Sequence, residues 1–233
     1  MATLNEITYD LLSIVRPQLS DDNDIDERQI KFWINNQRAL WIRNELNKKR
    51  TIDSDVIQTI CADLEEVNTS DCCDIELDCS TILRTTKKLP ETIELHNKQA
   101  ILRTAPIDKI SKPFSFIEYL SVPFVGNGKF NSKNIFSFLH DGYIYLYSKG
   151  NPRYKMISNI SIRGVFEDPT AASNFKDCGT NEPCYTDDSP YPIKSWMIPA
   201  LKQAILQSNL MIEAQADVQA KDNANNAKSD VKA

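Results

Sequence analysis

Two runs of apolar positions at helical spacing occupy the first fifty residues. In the first, Leu4, Ile7, Leu11, Ile14 and Val15 share a face, and Pro17 ends the run by biasing its predecessor out of helical geometry. The second, IDERQIKFWINNQRALWIRNELNKKR from Ile25 to Arg50, puts Ile30, Trp33, Ile34, Gln37, Leu40, Trp41 and Asn44 on one side. It opens on Asp26 with Gln29 three residues on, the pattern of a capping box. The two runs predict a helical hairpin. A buried Trp covers roughly 150–250 Å², so Trp33 and Trp41 are expected to anchor the subunit core or a contact with a neighbouring subunit. Val56, Ile57, Ile60, Cys61 and Leu64 then predict a third helix from Ser54 to Val67, completing a helical bundle over residues 1–70.

The period changes after that. Residues 71–170 are rich in β-branched and aromatic side chains broken by turn residues (IELDCSTIL, TIELHNK, QAILRTAP, FSFIEYL, YKMISNISIRGVFEDP) and predict an antiparallel β domain. Its clearest hairpin runs from Ile135 to Ser148, with Asp141-Gly142 as the tight turn. In the return arm Tyr143, Tyr145 and Tyr147 alternate with Ile144 and Leu146, which predicts a half-buried sheet. Residues 171–195, containing CGTNEPCYTDDSPYP, lack periodicity and are expected to form an extended loop. A last amphipathic helix spans residues 196–220, with Pro199 tolerated in its first turn, and the polar residues 221–233 are expected to be a disordered tail. This order of parts is an α+β fold. The final helix either serves as a docking arm, with Trp196, Leu201, Ile205 and Met211 as anchors in a partner's groove, or folds back onto the chain's own bundle.

Charge narrows the choice of partners. The net charge of −5 argues against a free-standing DNA binder, although Arg38, Arg43, Lys48, Lys49 and Arg50 make a local basic face suited to nucleic acid or an acidic neighbour. No apolar stretch approaches the roughly 18 residues of a membrane span, and the start lacks the basic and apolar regions of a signal peptide, so synthesis in a cytoplasm is expected. The six cysteines include no CxxC pair, and His96 and His140 stand apart, so no metal is expected and the thiols read as reduced, small apolar residues.

Chemical motifs are absent from this pattern. Asp22, Asp24 and Asp26 have the spacing of a calcium loop, but Glu27 stands where the loop needs glycine and Trp33 where it needs a bidentate Glu. Gly126-Asn127-Gly128-Lys129 is too short for a phosphate loop and reads as a turn. The tyrosine stripe reads as core or sheet surface, with base stacking or a subunit contact as the sharper alternative. No enzyme activity and no cofactor are expected.

The order ITYDLLSIVRPQLSDD, IDERQIKFWINNQRALWIRNELNKKRTID, a β-rich middle closing in SIRGVFEDP, then YPIKSWMIPALKQAIL and a polar tail resembles the head-to-tail adaptor proteins of short-tailed bacteriophages, also called tail tubular or connector ring proteins. It looks most like the portal-adjacent ring proteins of crAss-like phages. The most specific pieces are Phe32 to Leu46, Arg163 to Pro169 and Trp196 to Leu206. The resemblance implies a non-enzymatic virion protein at the head-tail junction. It would form a ring of about twelve copies that meets its own subunits, the portal and downstream tail proteins, and passes double-stranded DNA. The other function consistent with the residues is a cytoplasmic nucleic-acid-binding or regulatory module using the face from Arg38 to Arg50.

Overall fold

The computed structural model describes residues 2–16, 25–48, 53–69, 81–96, 100–108, 112–180 and 182–210, the side chains of 209 and 210 excepted. The chain divides into two units, one of residues 1–45 with 187–233 and the other of residues 46–186. The fold class is α+β, with two N-terminal helices, a seven-stranded sheet and a short C-terminal helix among the described residues.

In the first unit, helix α1 (Leu4–Val15) starts from a capping box: the Thr3 hydroxyl accepts from the Glu6 N–H at 3.1 Å, and the Glu6 carboxylate accepts from the Thr3 N–H at 3.0 Å. Leu4, Ile7, Thr8, Leu11, Leu12 and Val15 are buried, so the inner face is turned toward Leu12 and leaves Ile14 outside. Helix α2 (Glu27–Lys48) begins as the Asp26 carbonyl accepts from the Gln29 and Ile30 amides. The chain returns to this unit at Asp187. Pro190 forms a bridge with Thr3, the Tyr191 N–H donates to the Ala2 carbonyl at 3.0 Å, and Tyr191 and Ile193 are buried.

Of the helix expected over residues 196–220, the part up to Leu210 is described. A 3-10 turn, Ser195–Met197, leads into α3 (Ile198–Ile205) and a π-helical turn, Leu206–Leu210. Leu201 and Ile205 are fully buried within this unit, where α3 packs on α1 and Lys202 pairs with Asp10 at 2.5 Å. This part of the helix has therefore folded back onto its own chain, because two apolar positions one turn apart find the inner side of α1. Met211 and residues 221–233 lie outside the described residues.

The second unit is built on a sheet of order β3-β7-β1-β2-β6-β5-β4, formed by β1 (Gln58–Asn68), β2 (Thr81–Thr85), β3 (Ile101–Pro106), β4 (Ser115–Phe116), β5 (Phe136–His140), β6 (Tyr143–Tyr147) and β7 (Asn159–Gly164). Pairing is antiparallel throughout except between β4 and β5. The expected helix from Ser54 to Val67 is corrected. Only Ser54–Val56 is helical, as one 3-10 turn, and the rest is the longest strand of the sheet. Gln58, Ile60 and Ala62 alternate inward with period two, and β-branched Thr59, Ile60 and Val67 suit a pleated surface. Strand β1 joins the two halves of the sheet: residues 58–63 pair with β7, and residues 64–68 pair with β2.

The hairpin forms as its turn residues demand, with Asp141 at φ 53° and Gly142 at φ 80°. The sheet here is not half-buried, however. From Ile144 to Tyr147 every side chain of β6 is buried, because the tyrosine side is covered by Phe138, Ile82 and Val122. Phe138 stacks on Tyr145 with centroids 5.3 Å apart, so the stripe is core. His140 stacks on Tyr119 at 4.2 Å, and His96 lies exposed in a turn.

The cysteine reading is corrected at one pair. Beside β1, where residues 58–63 have β7 on one edge only, the loop at Lys176 adds a bridge to Cys61, and Cys61 and Cys178 form a disulfide with Cα atoms 5.2 Å apart. Cys184 is a free, half-buried thiol whose pKa burial pushes up. Cys72, Cys73 and Cys79 lie outside the described residues.

Candidate functional site

Helix α2 carries two apolar sides, and the structure buries only one. Ile30, Ile34, Ala39, Ile42 and Leu46 face inward, and Asn35 and Arg38 lie on the same side. The other side holds Phe32 (61% exposed), Leu40 (51% exposed), half-buried Trp33, Gln37 and Trp41, and exposed Asn36 and Asn44. Of the expected apolar face, Ile30 and Ile34 are core while Leu40 and Asn44 are in solvent. The tryptophans sit at the margin between the two sides.

This outer side is uncharged through its middle and carries Arg28 and Arg43 at its two ends. Between Phe32 and Ile42, about three helical turns, the single charged residue is Arg38, and Arg38 is wholly buried. Charge begins only at the ends, with Glu27, Arg28 and Lys31 before it and Arg43, Glu45 and Lys48 after. Aromatic enrichment with loss of charge at the centre and a polar rim is the composition of a protein–protein contact. A phenylalanine and a leucine in water beside two half-buried tryptophans would be costly for a chain that stayed alone.

Arg38 does not belong to the basic face expected of it. Its Nε–H donates to the Pro192 carbonyl at 2.8 Å, and its guanidinium lies 5.7 Å from the centroid of the Tyr191 ring. The Tyr191 hydroxyl in turn donates to Asn35 Oδ1 at 2.8 Å. Arg38 falls in register with Ile34 and Ile42, one turn away on either side, so helix geometry sends it inward and the 191–192 segment receives it. It fastens the returning chain to α2. Arg43 and Lys48 are exposed, while Lys49 and Arg50 lie outside the described residues.

At the start of α2, Lys31 reaches Glu27 at 2.7 Å and Asp187 at 2.8 Å. Burial works to lower its pKa, but hydrogen bonds to Asp187 and Glu27 outweigh it and hold the ammonium above its ordinary value. These contacts tie the start of α2 to the returning chain at Asp187. Of the expected C-terminal anchors, Trp196 is 63% exposed, Leu201 and Ile205 belong to the core, and Met211 is not among the described residues.

A second group of exposed apolar side chains went unread in the sequence. Leu120, Phe124, Phe130 and Met156 are 78–90% exposed. They occupy two loops of the second unit, residues 117–135 and 148–158, and the only signal for them was phenylalanine set among lysines beside Gly126 and Gly128.

Among the described residues no helix is long and apolar enough to cross a membrane. Likewise, no three or more His, Cys, Asp or Glu are gathered as a metal ion would need. What the geometry displays is surface for assembly, on a helical unit and on a β unit, which is the equipment of a structural subunit with more than one neighbour. The comparison with known proteins agrees with that class. Residues 6–231 match the model of the phage tail ring protein 2 family, and the chain belongs to that family. It is 29% identical to Ring protein 2 of Bacteroides phage crAss001 over 237 residues, covering 98% of each chain.

Proposed function

We propose that this protein is a structural virion component at the head-tail junction, made in the host cytoplasm. It forms a ring of about twelve copies that joins the portal to downstream tail proteins and lines the channel through which double-stranded DNA leaves. The observation that carries this reading is the aromatic outer side of α2, which among the described residues leaves Phe32 and Leu40 more than half exposed. Family membership supplies the ring and the tail. Trp33 and Trp41 serve the subunit contact, and Trp196, exposed before α3, serves the contact with portal. Arg43 and Lys48, with Lys49 and Arg50 beyond them, face DNA or an acidic neighbour, where their attraction falls with salt.

The role is non-enzymatic. Support comes from membership of a structural tail ring family.

Co-expression with the portal protein of the same phage, followed by mass measurement and electron microscopy, tests this function. The expected product is a symmetric complex of about twelve copies stacked on the portal with an open axis. A chain that stays monomeric in the presence of portal overturns the proposal.

A further inference from the structure

The second unit holds a groove of about 450 Å³ where the two edge strands of its sheet part. These edges meet at the Phe114 N–H, which donates to the Thr104 carbonyl at 2.8 Å, and the groove opens with Ile101 on one side and Ile117 on the other. Buried Ile93 and Ile101 and half-buried Phe116 and Leu139 make its lining apolar, and exposed Glu94 and Glu118 make it acidic. None of the described residues that line it is basic.

The same unit carries a lobe of the opposite character. Residues 120–135 and 148–157 contain Lys129, Lys133, Lys149, Arg153 and Lys155 and no Asp or Glu. Lys155 is engaged by Glu66 at 2.7 Å, whereas Lys129 and Lys133 flank Phe130 as exposed cations, and Phe130 itself is 90% exposed. The two loops are tied together. The Gly150 N–H donates to the Ser132 carbonyl at 2.7 Å, and the Ser148 hydroxyl to the Asn134 carbonyl at 2.8 Å. Val122 anchors the lobe from within, buried in the cluster of Phe138, Tyr145 and Tyr147. An apolar tip held on this underpinning does not collapse onto its own chain.

Groove and tip lie toward opposite ends of β5. Tyr119 lines the groove and stacks on His140, the last residue of that strand, at 4.2 Å. In the lobe, a Cβ at Gly126 would stand 3.9 Å from the ring of Phe136, the first residue of the strand. Four residues of strand separate the two by about 13 Å, and the tip extends beyond. Glu118, just before the lobe, therefore belongs to the groove.

Resting on the ring reading above, we infer that the basic, Phe130-bearing tip of one copy docks in the acidic apolar groove of the next copy. The contact joins unlike surfaces, with Lys129 and Lys133 meeting Glu94 and Glu118 around the phenylalanine ring. It adds to the contact assigned to α2. A head-to-tail contact of this kind leaves one tip and one groove free on every pair, and it is completed only when the series of copies closes on itself.

Two charge-reversed variants of the full chain test this, co-expressed with portal: K129E/K133E in the lobe and E94K/E118K in the groove. All four side chains are exposed, so both variants are expected to keep the wild-type thermal midpoint. Each alone sets like charges together at every contact and is expected to lose the ring, with self-association weakened by roughly 30-fold or more. Expressed together, they are expected to form rings holding equal amounts of both, because the acidic tip of one meets the basic groove of the other, and the reverse. F130S, which changes no charge, is expected to lose the ring as well. Wild-type ring yield from K129E/K133E or from F130S, or a mixture that remains unassembled, overturns the inference while leaving the ring itself standing. A wild-type chain that never assembles, even with portal, overturns both.

Discussion

Replacement of Arg38 by Ala should unfold the helical unit selectively, and the size of the effect follows from its contacts. The side chain is wholly buried, donates one charged hydrogen bond to the Pro192 carbonyl and lies over Tyr191. A hydrogen bond to a charged group contributes about 1.5–3 kcal/mol and a desolvated cation–π contact about 0.5–2 kcal/mol. Truncation also leaves a void and an unfilled Pro192 carbonyl, while it recovers the cost of keeping a guanidinium out of water. The net expectation is a loss of about 3 kcal/mol, against about 1 kcal/mol for Arg38→Met, which refills the space without the charge. All three tryptophans, Trp33, Trp41 and Trp196, lie in this unit, so tryptophan fluorescence in urea reports on it alone. With an m-value of about 2 kcal/mol per molar, the midpoint of Arg38→Ala should fall by roughly 1.5 M. Exposed Arg43→Ala, the control, should stay within about 0.5 kcal/mol of wild type. A fluorescence midpoint for Arg38→Ala that matches the control would refute the reasoning, because the guanidinium would then be solvated and free to serve the basic face.

Leu201→Ala should destabilise the helical unit by about 2–5 kcal/mol, read as a lower fluorescence midpoint, since Leu201 is fully buried on α1's side of the unit; an unchanged midpoint with lost portal binding would restore the docking-arm reading. Reduction of the Cys61–Cys178 disulfide, which closes a sequence separation of 117, should destabilise the β unit by up to about 5 kcal/mol, read by hydrogen exchange in β1 and β7; equal protection with and without reductant would contradict this. The Cys184 thiol, its pKa raised by burial, should react slowly with iodoacetamide at neutral pH and quickly once the unit is unfolded, whereas fast labelling of the native chain would show it open to solvent. Backbone N–H groups of Gly179 and Thr180 hold the Asp177 carboxyl below its ordinary pKa of 3.8, so its small contribution is present above that value and is lost as pH falls through the lower folded value. Asp177→Asn should therefore flatten the acid limb of loop protection below about pH 4; an identical limb would exclude this carboxylate.

How much of this was visible in the sequence depends on how many periods a segment can satisfy. The hairpin was readable because Asp141-Gly142 allows one turn type and the aromatic arms on either side allow one register. Strand β1 was misread because Val56, Ile57, Ile60, Cys61 and Leu64 satisfy a helical face, while the inward positions Gln58, Ile60 and Ala62 contain only one large apolar residue to mark period two. Helix α2 shows the problem most sharply. Its isoleucines at 30, 34 and 42 and its aromatics at 32, 33 and 41 form two stripes about a quarter-turn apart, and a periodicity count merges them into one broad face. The isoleucine stripe was the core. Arg38 stands in that stripe's register, and reading it by charge instead of by register placed it on the wrong side of the helix. What the merged count concealed is the arrangement that bears on function. A chain that buries isoleucines and an arginine while holding Phe32 and Leu40 in solvent, with Trp33 and Trp41 at the margin, has not failed to form a core. The described core forms without them, and the aromatic side of α2 is the surface proposed for contact with another chain.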